Sequence, residues 1–157
     1  MSGKRLLDTN IVIALFAGDV QVRQRVDAVS EVLVSLVVLG ELYYGASYSA
    51  RPRENAAEVG RFADTCTVVQ IDMETARIYG LVKAELRRKG RPIPENDLWI
   101  AASARQHDLV LVTRDPHFWA GRRSLDRSLG RRARRGTLRF ARRPRDRRRC
   151  ARAATGE

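Results

Sequence analysis

The chain has 157 residues, with 30 Lys+Arg against 18 Asp+Glu, a formal net charge of +12 and a pI near 11.0. That length suits one domain with a single hydrophobic core, and no run of about 18 apolar residues is present to cross a membrane. The charge says less than its size suggests: up to Ala120 fifteen basic and fifteen acidic residues cancel, while residues 121–157 hold fifteen arginines against three acids, so the body is an electroneutral domain and the pI is silent about its partners.

Taken in chain order, short Val/Ile/Leu-rich runs alternate with helical segments as far as Thr113, the pattern of an α/β fold with a parallel sheet. The first residues lead straight into the short apolar strand Arg5-Leu6-Leu7 rather than a signal-type segment, so an unexported, cytoplasmic protein is expected. Asp8-Thr9-Asn10 follows, with Asn10 read as the N-cap of a helix through Ile11–Phe16. Val20–Val29 reads as a second short helix, Val32–Ser35 as the second strand and Leu36–Tyr48 as the next helix. On that helix Val37, Val38, Glu41, Tyr44, Gly45 and Tyr48 share one stripe, so Glu41 interrupts an otherwise apolar face. Pro52 starts a helix to about Thr65, and Thr67–Ile71 is the third strand. Asp72 is placed to cap a long helix, Met73–Lys89, which Gly90 ends. After the stiff loop Arg91–Pro94, the residues Glu95-Asn96-Asp97 open the helix Leu98–His107, and Leu109–Val112 is the fourth strand. Cys66 and Cys150 have neither C-x-x-C spacing nor a histidine pattern for zinc, and read as two free thiols.

Ligands of open α/β sheets bind beyond the carboxyl ends of the strands. Asp8 directly follows the first strand, Asp115 lies three residues past the fourth, Asp97 opens the helix leading into it, and Glu41 lies within two turns of the second. Four acids from four segments can therefore meet at one edge of the sheet, and clustered carboxylates repel unless a cation neutralises them. An all-oxygen donor set selects Mg²⁺ or Mn²⁺. Two such ions about 4 Å apart serve an in-line phosphodiester displacement. Each acid also has a plainer reading: Asp8 and Asp115 as turn residues, Asp97 as a helix cap, Glu41 as a surface acid. Thr9 and Thr113 carry hydroxyls that could hold a water or a phosphate, or serve the strand ends alone.

Four fragments carry a resemblance: Leu6-Leu7-Asp8-Thr9-Asn10, Gly40-Glu41-Leu42-Tyr43-Tyr44-Gly45, Pro94-Glu95-Asn96-Asp97-Leu98-Trp99-Ile100-Ala101-Ala102, and Leu111-Val112-Thr113-Arg114-Asp115-Pro116-His117-Phe118. In this order and spacing they resemble the PIN-domain ribonucleases, specifically the VapC-type toxins of toxin–antitoxin pairs, over about residues 4–118. The resemblance implies a PIN-like three-layer α/β/α sandwich, with Asp8, Glu41, Asp97 and Asp115 as the catalytic, metal-binding acids and Thr113 as an accessory hydroxyl. It also implies Mg²⁺ or Mn²⁺ as cofactor, RNA as substrate, a homodimer, and a cognate antitoxin whose C-terminal segment occupies the active-site groove.

The chain departs from that pattern after Phe118. One PIN domain over residues 1–119 is expected, followed by an Arg-rich tail over 120–157, disordered by itself, with fifteen arginines and no lysine from Arg122 to Arg152. Such a tract is what a shifted reading frame of a GC-rich gene encodes in place of a final strand, whose loss would leave a sheet edge unpaired. The competing reading is an RNA-binding arm, against which stands the lack of aromatics other than Trp119 and Phe140. A non-catalytic RNA- or partner-binding protein acting through this tail is accordingly the alternative function. A receiver domain would need an Asp-ended strand near residue 55 and a late lysine, and a haloacid-type phosphatase would need Asp-x-Asp where Asp8-Thr9-Asn10 stands.

Overall fold

The computed structural model describes residues 4–115 and the backbone of Arg139–Phe140. Strand β1 (Arg5–Leu7) is central, joined in parallel on one side to β2 (Val32–Ser35) and then β3 (Thr67–Val69), and on the other to β4 (Val110–Val112). The register sets Leu6 beside Leu33 and Leu111, and Leu7 beside Val34 and Val112. All of these but the half-buried Val112 are almost wholly buried because both faces of a parallel sheet are covered, which is why the strands read as continuous apolar runs. A two-residue strand β5 (Arg139–Phe140) pairs in parallel with the outer edge of β4, inside a tract that the sequence reading leaves without structure. The expectations of disorder and of a shifted frame for the rest of 120–157 lie outside the described residues.

Among the described residues six helices connect β1 to β4: α1 (Thr9–Phe16), α2 (Val20–Asp27), α3 (Leu36–Ser47), α4 (Pro52–Asp64), α5 (Met73–Arg88) and α6 (Glu95–Gln106). Right-handed crossovers from β1 to β2 and from β2 to β3 run the same way along the sheet, so α1–α4 cover one face. The chain then returns past β1 to β4, which puts α5 and α6 on the other face. Ala101, Ala102, Ser103 and Ala104 are buried along α6, and their small side chains let its backbone lie close to the sheet. Helix α5 has the cap expected of Asp72, which the structure extends to a capping box: Asp72 Oδ1 accepts from Thr75 N at 2.8 Å and Thr75 Oγ1 accepts from Asp72 N at 3.0 Å. It ends at Gly90, whose φ of +63° suits glycine, and Arg91 N closes the turn on Leu86 O at 3.0 Å.

Several local readings change: β3 ends at Val69 rather than Ile71, and α6 begins at Glu95 rather than Leu98. Asn10 is not the cap of α1 but lies inside it; the cap is Asp8, which accepts from Thr9 N at 2.8 Å, so the helix begins two residues earlier. On α3 the stripe through Glu41 faces the core only at its start, where Val38 is buried and Val37 packs partly against the core. Leu39, Leu42 and Ala46 are the other buried residues, while Tyr44 and Tyr48 are exposed and Glu41 stands on the face turned to a groove. Cys66 is a free, half-buried thiol, and Cys150 lies outside the described residues. Among the described residues no helix is long and apolar enough to cross a membrane.

Candidate active site

The chain leaves β1 toward β2, and β4 lies on the opposite side of β1, so a crevice opens beyond the carboxyl ends of β1 and β4. A groove of about 820 Å³ occupies this end of the sheet. Asp8, Glu41, Asp97 and Asp115 all line it, together with Thr9, Asn10 and Asn96, and no lysine, arginine or histidine does so among the described residues.

Each acid reaches the groove by a different local device. Asp8 ends β1, is only 3% exposed, and its Oδ2 accepts from Thr113 Oγ1 at 2.5 Å and from Asn10 Nδ2 at 2.6 Å. Its carboxyl is held above the ordinary carboxylate range, chiefly by burial, against the opposing bonds from Thr113 and Thr9 N; the nearby charges of Glu41 and Asp115 push the same way as burial. Glu41 projects from the second turn of α3, where its Oε2 accepts from Thr9 Oγ1 and its Oε1 from Asn96 Nδ2, the latter at 2.7 Å. Asp97 is the third residue of α6, not its cap, which is Pro94. Its carboxylate therefore sits in the first turn, where the N-terminal helix dipole favours negative charge, and its Oδ2 is buried in the groove wall. Asp115 follows β4, with its backbone N–H donating to Thr113 Oγ1 at 2.9 Å.

Asn10 and Asn96, read from sequence only as helix-starting residues, turn out to be structural members of this site. Asn10 donates from Nδ2 to Asp8 and, at 3.1 Å, to Thr113, and its Oδ1 accepts from Arg114 N at 3.0 Å. One side chain thus ties the end of β1 to the loop that carries Asp115. The available signal was adjacency, since an asparagine stands within two residues of Asp8 and beside Asp97. Thr9 and Thr113, whose hydroxyls had two readings, both donate to carboxylates.

The donor set suits a hard divalent cation: oxygen atoms only, several carboxylates, and a buried acid whose like-charged neighbours raise its proton affinity. As the side chains stand, no three acidic, cysteine or histidine residues among the described ones close around a single point. Mg²⁺ keeps several waters and uses one or two carboxylates directly, so a wide groove with separated acids is compatible with it.

A family model described as PIN domain matches residues 5–120. Among curated proteins the chain is similar to Ribonuclease VapC2 of Haemophilus influenzae, at 38% identity over 112 residues, covering 70% of this chain and 85% of that protein. It is equally similar, 38% over 112 residues with the same coverage, to a protein of Shigella flexneri named tRNA(fMet)-specific endonuclease VapC. Among solved structures, that of DNA-bound VapBC from Salmonella typhimurium superposes with a TM-score of 0.72 at 30% identity, covering 88% of this chain and 96% of that one.

Proposed function

We propose, from the premise that this chain belongs to the PIN-domain family and lies among its VapC-type ribonucleases, that it is a divalent-metal-dependent endoribonuclease and the toxin of a toxin–antitoxin pair. The observation that carries the chemistry is the convergence of Asp8, Glu41, Asp97 and Asp115 on one groove, where hydroxyls and amides hold Asp8 and Glu41. Four acids brought from four segments onto one groove favour a cation there, since like charges so gathered repel one another.

Asp8, Glu41, Asp97 and Asp115 would hold Mg²⁺ or Mn²⁺. When bound, such an ion supplies positive charge against the scissile phosphate and eases ionisation of the attacking water. The chain's own contribution is orientation. Asp8 is locked by Thr113, Asn10 and the backbone of Thr9, and Glu41 is locked from two sides by Thr9 and Asn96. Fixed carboxylates avoid reorganisation during reaction. The antitoxin is the partner proposed for this groove, on the support of neighbours described as VapBC structures, and a homodimer, which the family resemblance implies, is the proposed assembly.

The test is cleavage of RNA by the purified protein with Mg²⁺ or Mn²⁺, with chelator, and with Asp97→Asn. Cutting is expected only with metal, and the variant is expected to lose at least about a hundredfold. Cleavage that survives chelation, or is indifferent to the substitution, overturns the mechanism. Growth arrest on expression, relieved by the neighbouring gene's product, tests the toxin assignment.

A further inference from the structure

Resting on the ribonuclease reading, we propose that Tyr44 and Tyr48 form a stacking platform for unpaired nucleobases flanking the cut. Tyr44 lines the acidic groove yet is 67% exposed, and Tyr48, four residues on at the C-cap of α3, is 79% exposed. Their ring centroids lie 4.8 Å apart with planes inclined at 50°, so the two rings make one aromatic surface running outward from the carboxylates. Ile13, 55% exposed, lines the same groove from α1 and extends its apolar rim.

Charge decides what this surface is for. Residues 1–120 carry no net charge, and the described lining of the groove contains four acids and no cationic side chain. A phosphate backbone entering there is repelled by the four carboxylates wherever a bound ion does not neutralise them, and no cationic side chain of the described lining offsets this, so grip on neighbouring nucleotides is better drawn from their bases. Aromatic rings supply that grip without regard to sequence, because every base has a π-face, and only unpaired bases can present one. The platform therefore selects single-stranded or splayed RNA over intact duplex.

The experiment uses the full chain with Mg²⁺ and a short, randomised, fluorescein-labelled single-stranded RNA, beside an abasic phosphoribose strand of equal length. Salt at about 0.3 M screens the arginines of residues 121–157 without weakening stacking. Anisotropy is expected to show Tyr44→Leu and Tyr48→Leu each binding the base-bearing strand about tenfold more weakly than the unsubstituted protein. Neither variant should change on the abasic strand, and Tyr44→Phe should keep full affinity. In cleavage the loss should appear in KM with kcat unchanged, the signature of binding shared by ground and transition states. Leucine variants that match the parent on the base-bearing strand, or that lose equally on both strands, overturn the platform. So does unaltered RNA binding with weakened binding of the neighbouring gene's antitoxin, which would assign the surface to a protein partner. Cleavage by the unsubstituted protein with and without chelator reads the ribonuclease proposal separately, since anisotropy responds to stacking whether or not the strand is cut.

Discussion

Helix α6 presents two acids, two residues apart in its first turn, to different surroundings. Glu95 turns outward, where Lys83 Nζ meets it at 2.5 Å and the Tyr79 hydroxyl donates to it, with the Tyr79 ring stacked on Trp99 at 4.1 Å. The bond from Lys83, then that from Tyr79, holds the Glu95 carboxyl below its ordinary value. Asp97 faces the groove, across which Asp8 and Glu41 are held by hydroxyl and amide donors. The same contrast recurs on α5, where buried Glu85 has Lys89 at 2.5 Å. Glu95 and Glu85 are given a cation by the chain itself, whereas the capping acid Asp72 is held by Thr75 and Gln106. Asp8 and Glu41, in the groove, are given hydroxyl and amide donors, which fix their direction and leave their charge for something else to neutralise.

The largest test of this contrast exchanges charge on its two sides. Asp8→Asn should reduce RNA cleavage by at least about a hundredfold, as Asp97→Asn should, whereas Glu95→Gln should leave the rate unchanged in the same assay. Equal effects would dissolve the distinction. Next comes Asn10→Ala, which frees the loop after β4 from the end of β1; a roughly tenfold to hundredfold loss of activity is expected, with more metal needed for half-maximal rate. A normal metal titration in that variant would reduce Asn10 to a loop tie.

Smaller effects separate the two kinds of acid by stability. Because Asp8 has a raised carboxyl pKa, the folded metal-free protein binds more protons than the unfolded chain in the window between 3.8 and that raised value. Its stability contribution therefore falls as pH rises through the window. The lowered carboxyls of Asp19, Asp72, Glu74 and Glu95 act oppositely and at lower pH, contributing above their unfolded values and losing that contribution as pH falls through the folded ones. Denaturant titrations in chelator should show both limbs, and Asp8→Asn should remove the upper one. Mn²⁺ near neutral pH should raise Tm by a few degrees in the parent and less in Asp8→Asn, read by thermal melting. Smallest of all, Lys83→Met should lower Tm by no more than about 2 °C, since the exposed pair is solvent-screened, and should leave cleavage intact.

Much of this was legible along the chain. The four main strands and six helices followed from apolar runs, Gly90 and the Asp72 cap, because these signals are local: a period, a left-handed glycine, a side chain that reaches its own backbone. The four acids were legible through strand-end logic and through the fragments that resemble PIN domains, and all four line one groove. The start of α1 was misread because Asp8 and Asn10 are both good caps, and only the bond from Thr9 N chooses between them. The orientation of α3 was misread because its apolar residues extend over more than half its circumference, so periodicity could not say which stripe met the sheet.

The sequence by itself determined the order of elements, the four carboxylates and the neutral body that precedes an arginine-rich end, since each is a matter of residue type and local spacing. Tertiary structure alone decided that Asn10 clamps β1 to the loop after β4 across 104 positions of chain, that Asn96 restrains Glu41 across 55, and that Tyr44 opens onto the acidic groove with the Tyr48 ring beside it. Hydrogen bonds between distant segments and the choice of which helix face meets the sheet depend on how the layers pack, and no local period records that.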